Sequence, residues 1–187
     1  FISYIQTKFY IMRYLLLFAI TLTNIFSMQA QDMDAYSREL FVKNGDTLRY
    51  RLLTPANYDT HKTYPLVIFL HGSGERGSDN AAQLLHGGAL FVKDSLRQAF
   101  PAFVIFPQCP DNESWAPFRM RRDSTGKVTG ADFLTDAPPT TPGALVKSLL
   151  DSLLASGKID SKRVYVGGLS LGGIGTFDIL ARYPDMF

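Results

Sequence analysis

The sequence predicts an α/β fold: a mostly parallel sheet with helices on both faces. Three observations carry this. Short runs of strand-forming residues with no polar face recur at 66–70, 103–106 and 163–167, as expected of central strands covered on both sides. Helical stretches alternate with them, which calls for crossover connections. Glycine or proline stands at the end of each run, where a chain leaving a sheet must turn sharply.

In order along the chain, residues 37–42 and 47–53 read as two strands joined at Asn44-Gly45, a hairpin signal. Pro55-Ala56-Asn57-Tyr58 is a loop. Leu66-Val67-Ile68-Phe69-Leu70 is the first buried strand and stops at His71-Gly72-Ser73-Gly74. Helices are expected over 80–85 and 93–99. Phe103-Val104-Ile105-Phe106 is the next buried strand, halted by Pro107. Residues 111–141 carry prolines, charges and two glycines without a period, and read as a long surface excursion. Thr141-Pro142 opens a helix, with the threonine as cap and proline in the first helical position. Leu145, Leu149 and Leu153 with Val146, Leu150 and Leu154 give that helix one apolar stripe, and Gly157 closes it. A strand at 163–167 and a helix from Leu171 to Tyr183, stopped by Pro184, complete the pattern.

The first thirty residues are of a different kind. Arg13 precedes Tyr14-Leu15-Leu16-Leu17-Phe18-Ala19-Ile20, and the apolar character fades by Phe26. A bilayer span takes roughly 20 apolar residues, so no stable membrane span is expected, although a short anchor is the alternative. One basic residue, a short apolar run and Ala30 before Gln31-Asp32 make a signal peptide over 1–30. Export to a secreted or periplasmic location follows from it. Met12-Arg13 would open this peptide, leaving residues 1–11 as candidate upstream sequence.

Composition narrows the function further. The formal charge is +2, and both excess positives, Lys8 and Arg13, fall within the expected signal peptide. The rest is balanced, without the one-sided basic field of a nucleic-acid binder. No His/Cys pair has metal-ligand spacing, and the glycine patterns match neither a phosphate loop nor a dinucleotide fingerprint. No cofactor and no metal are expected.

Gly168-Leu169-Ser170-Leu171-Gly172 is a G-x-S-x-G motif between a strand and a helix, the context that gives it chemical meaning. Such a turn lifts the Ser170 hydroxyl out of the sheet and sets it at a helix N-terminus. There the backbone N–H of Leu171 faces any negative charge formed beside it. A tetrahedral acyl intermediate needs a second donor, which the small-residue loop after the 66–70 strand can supply. His71 is not read as the base, because in this arrangement the base follows the nucleophile in the chain; it reads as a local anchor of its loop. Glu75, Arg76 and Asp79 could steer a substrate, but read first as ion pairs fixing that loop. Trp115 reads equally as pocket wall and as core. Cys109 has no basic neighbour to activate it. His61 reads as exposed and His86 as a turn residue.

Tyr64-Pro-Leu-Val-Ile-Phe-Leu-His-Gly-Ser-Gly-Glu-Arg-Gly-Ser-Asp-Asn80 resembles the serine α/β-hydrolases, in particular the secreted phospholipase/carboxylesterase and dienelactone-hydrolase-like group. Pro107-Gln-Cys-Pro110 with Trp115, and Val164 to Gly173 through Ala181-Arg-Tyr-Pro184, extend the likeness over roughly residues 38–187. The resemblance implies a Ser-His-Asp triad, a two-donor oxyanion hole and ester substrates, either small molecules or esters linked to polysaccharide. By position, Ser170 matches the nucleophile, Leu171 one oxyanion amide and Ser73 the other. The family's acid and histidine follow two and three further strands, and are expected beyond Phe187. Residues 31–187 then read as the N-terminal part of an α/β-hydrolase domain, cut after the elbow helix and inactive alone. A prolyl-oligopeptidase-type peptidase shares the elbow but commonly has a tyrosine in the oxyanion loop, which 71–77 lacks. A non-catalytic relic or binding domain is the third reading.

Overall fold

Strands β1 (Ser37–Lys43) and β2 (Asp46–Leu53) pair antiparallel in full register, Ser37 opposite Leu52 and Lys43 opposite Asp46. The two residues between them, Asn44 and Gly45, have φ of +55° and +91°, the pair of left-handed residues that a two-residue hairpin turn requires. The computed structural model describes residues 33–187, so the expected signal peptide at 1–30 lies outside the described residues. Tyr36–Phe187 form one compact unit.

The sheet has the order β1-β2-β4-β3-β7, with β3 at Tyr64–Leu70, β4 at Phe103–Gln108 and β7 at Ile159–Gly168. β4 and β7 run parallel to β3, and β2 alone opposes its neighbours. β4 is buried along its whole length, as the apolar run at 103–106 predicts, and its burial extends through Gln108. On β3, Leu66, Ile68 and Leu70 are buried on one face, while Pro65, Val67 and Phe69 are only half-buried on the other. The expectation of full cover on both faces is corrected there. Among the described residues that second face is lined by short helices, α1 (Gly88–Phe91), whose Phe91 ring lies 5.8 Å from Phe106, and α2 (Asp94–Ala99), which shares an apolar cleft with Val67. The helix expected at 80–85 is a single 3-10 turn, Ala82–Leu84.

Helix α3 (Thr141–Ala155) buries Leu145, Val146, Leu149 and Leu150 in a core that includes Leu66, Ile68 and Leu70 of β3. Its cap is Thr140, one residue before the expected Thr141: Thr140 Oγ1 accepts the Gly143 N–H at 3.3 Å. β7 starts four residues before the predicted strand. It pairs Ile159 with Tyr64, then shifts register before Val164 meets Leu66. Asp160 holds the extra residues by accepting from Lys162 N at 3.0 Å and Arg163 Nε at 2.7 Å. Helix α4 (Leu171–Arg182) follows β7 and sends Leu171 and Ile179 into the same core. Part of the 111–141 excursion is an antiparallel hairpin, β5 (Phe118–Arg122) with β6 (Val128–Phe133), which periodicity did not reveal.

Candidate active site

The turn from β7 into α4 places Ser170 with φ +52° and ψ −113°. The other non-glycine residues described with positive φ are Asn44, Asn57 and Asn80, a residue type that tolerates this region. A serine there carries strain of about 1–3 kcal/mol and persists only where its surroundings dictate it. Those surroundings are backbone. A Cβ on Gly172 would run into the Leu70 carbonyl and lie 2.8 Å from His71 O; one on Gly168 would strike the Gly172 carbonyl and lie 2.9 Å from Leu70 O. The Leu169 N–H donates to Leu70 O at 3.1 Å, so the elbow is bonded to the end of β3. Ser170 is exposed and Leu171 buried.

The loop after β3 packs directly against this elbow. A Cβ on Gly72 would stand 3.6 Å from Ser170 Cβ and 3.5 Å from Leu169 O. Ser73 opens a 3-10 turn, Ser73–Glu75, just as Leu171 opens α4. An N–H in the first position of a helix has no acceptor inside that helix. Leu171 thus follows the exposed Ser170 directly, and the Ser73 turn belongs to the loop whose Gly72 packs against Ser170.

Three buried side chains fix the loop. His71 Nε2 accepts the Cys109 N–H at 2.9 Å, which leaves the hydrogen on Nδ1, 2.6 Å from Gly72 O. Burial first, and Arg76 after it, lower the His71 pKa against the raising influence of Gly72 O and Glu75. A neutral imidazole with both nitrogens engaged is an anchor rather than a base. Trp115 is buried and donates from Nε1 to His71 O at 3.0 Å, so it acts as core that pins the loop. Gln108 was missed in the sequence. Its buried amide accepts from Asn80 N at 2.7 Å and donates to Glu75 O at 3.3 Å and Asp79 Oδ1 at 2.7 Å. The signal was a polar residue ending an otherwise apolar strand.

The ion-pair network expected of Glu75, Arg76 and Asp79 does not form among them. Asp79 instead caps the next turn, accepting from Ala81 N and Ala82 N. Its pKa is lowered, chiefly by the Gln108 hydrogen bond. Arg76 donates to Ser73 O and Glu113 O. Glu75 is buried and meets His86, Oε1 to Nε2 at 3.4 Å. Burial pushes the Cys109 thiol up to about 12, far from the thiolate range of reactive cysteines. Among the described residues, no hydrogen bond joins His61, His71 or His86 to Ser170, and no group of three His, Cys, Asp or Glu could hold a metal ion. Nor is any helix among them long and apolar enough to cross a membrane.

No protein-family model and no curated protein matches the chain. Solved structures do. A thermostable esterase is 33% identical with a TM-score of 0.70, over 84% of this chain and 40% of that one. A ferulic acid esterase is 19% identical with a TM-score of 0.58, over 81% of this chain and 56% of that one. A ferulic acid esterase from Anaeromyces mucronatus is 14% identical with a TM-score of 0.50, over 81% of this chain and 55% of that one. The chain thus spans 40% to 56% of the length of these proteins. With β2 alone antiparallel, a serine elbow between β7 and α4, and esterases as structural neighbours, the chain has an α/β-hydrolase fold.

Proposed function

We propose that this chain carries the nucleophile side of a serine carboxylesterase site. The observation that carries the reading is the backbone of Ser170, a strained serine between β7 and α4 with Gly72 of the loop after β3 packed against it. Similarity to a thermostable esterase at 33% identity supports it. Ser170 Oγ attacks the ester carbonyl carbon while a base takes its proton. The N–H groups of Leu171 and Ser73 receive the resulting oxyanion. The tetrahedral intermediate collapses, the C–O bond to the alcohol breaks, and the alcohol leaves with the proton. Water then repeats the attack on the acyl-serine and frees the acid. The histidine base and its acid partner come, on this reading, from chain outside the described residues. Export by the 1–30 segment belongs to the same proposal.

The test uses the full-length protein with a short-chain aryl ester and a fluorophosphonate probe. The probe should label the peptide containing Gly168–Gly172, and Ser170→Ala should abolish labelling. Turnover should fall by at least about 10³-fold, leaving what binding and the oxyanion donors supply. Labelling elsewhere with Ser170→Ala still active would remove Ser170 from the role.

A further inference from the structure

The β5–β6 ribbon takes no part in the reaction just described. Its pairing sets Phe118 opposite Phe133, Met120 opposite Ala131 and Arg122 opposite Val128, so strand alternation collects these six side chains on one face. The other face is settled: the Arg121 guanidinium fills the space a side chain on Gly130 would take, and its Nε meets Asp132 Oδ1 at 3.1 Å. The apolar face has no such cover. Met120 and Val128 are each 46% exposed and Phe133 56%. Phe133 shares an apolar cleft of about 500 Å³ with Phe177 of α4, itself 73% exposed. Large apolar side chains this open on two adjoining elements form a patch, not the scattered exposure of an ordinary surface.

Charge says what such a patch suits. Residues 118–133 hold four cations, Arg119, Arg121, Arg122 and Lys127, against two acids, Asp123 and Asp132. Asp132 is engaged by Arg121, and Asp123 accepts from the Thr125 and Lys127 amides of its own turn. Asp178, beside the cleft, is held by Arg182 at 2.8 Å. Among the described residues Arg119, Arg122 and Lys127 enter no ion pair, and Arg122 Nη1 is fixed at the ribbon's end by donating to Gly126 O at 2.8 Å. We propose that this ribbon docks the protein on anionic lipid surfaces, with its apolar face in the headgroup boundary and Arg119, Arg122 and Lys127 at the lipid phosphates. Long basic stems can lie along apolar surface while their charge stays in the polar layer. Arg122 is the only hydrogen-bonding side chain on the face, so nothing there fixes the register of a shaped partner. An acidic polysaccharide would satisfy the cations but offers Met120, Val128 and Phe133 no apolar phase. The docking is independent of whether Ser170 is a nucleophile.

The experiment uses the full-length protein carrying Met120→Cys labelled with an environment-sensitive fluorophore. Cys109 is buried and its thiol is pushed up to about 12, so it stays unlabelled. Vesicles are phosphatidylcholine alone or an equal mixture with phosphatidylglycerol. Emission should shift to the blue and rise severalfold on the anionic vesicles and change little on the neutral ones. It should revert in 1 M salt, where the Debye length is about 3 Å. Because the label sits on the ribbon, binding through the apolar run at 14–20 does not register. Arg119→Gln, Arg122→Gln and Lys127→Gln together should weaken the lipid affinity read from this signal by on the order of 100-fold, about fivefold for each cation. Val128→Glu with Phe133→Glu should weaken it by at least about tenfold. No response on anionic vesicles, an equal response on neutral ones, or affinity indifferent to salt and to both sets of substitutions would overturn the proposal. So would a response to polygalacturonate in the absence of a response to vesicles, which would assign the face to an acidic polysaccharide.

Discussion

His71 illustrates how a residue next to a reaction centre can be committed to architecture. Its neutral ring accepts from Cys109 N and donates to Gly72 O, tying β4 to the loop beside Ser170. Protonation would turn Nε2 into a donor facing the Cys109 donor, so the bridge exists only with the neutral ring. Burial keeps the folded pKa below the ordinary 6.5. For a histidine with a depressed pKa the unfolded state binds protons more readily. The stabilisation is therefore complete above about 6.5 and declines as pH falls from there through the folded value. Asp79, also depressed, works in a lower window, losing its contribution only as pH drops below the ordinary carboxylate range. The urea midpoint of the full-length protein should thus fall between pH 7.5 and 5.0. His71→Gln, whose amide oxygen can still accept from Cys109, should flatten that fall. An equal fall in wild type and variant would assign the titration to another group.

Elements were legible in the sequence in proportion to how much of their pattern comes from burial. β4, α3 and the β7–α4 turn are dictated by an apolar run, an apolar stripe and glycines that admit no side chain. The β5–β6 hairpin has neither: Phe118-Arg119-Met120-Arg121-Arg122 is largely exposed, and no buried face imposes a period. Its turn is chemical instead, with Asp123 Oδ1 accepting from Thr125 N, Thr125 Oγ1 and Lys127 N. Asp-Ser-Thr-Gly was the available signal. In the site, Ser170 and the two loops are written in glycines, whereas Gln108 and Glu75 matter through long-range contacts that no local spacing encodes. Between two adjacent threonines, only geometry chose the cap of α3. Thr140→Ala should cost about 1 kcal/mol by chemical denaturation, and Thr141→Ala no more than about 0.5. The reverse order would move the cap back to Thr141.

At the scale of the molecule the sheet is unevenly roofed. One face packs against α3 and α4. The other carries an apolar cleft of about 570 Å³ lined by residues including Val67, Leu90, Phe91, Phe100, Val104 and Tyr165. Leu90 is 49% exposed, Phe100 74% and Tyr165 54%. Among the described residues β7 pairs only with β3, so one of its edges is also open. Contiguous apolar surface and unpaired strand edges both promote association, and the two can be separated. Residues 33–187 produced alone should self-associate in light scattering and bind a hydrophobic dye. Phe100→Glu with Tyr165→Glu places charge on the face and leaves the backbone edge of β7 untouched. If the face drives association, the double variant should become largely monomeric and its dye signal should fall severalfold. Association that persists after the dye signal is lost would transfer the cause to the β7 edge. A monomeric wild-type segment with a sharp thermal transition would show that neither surface needs cover.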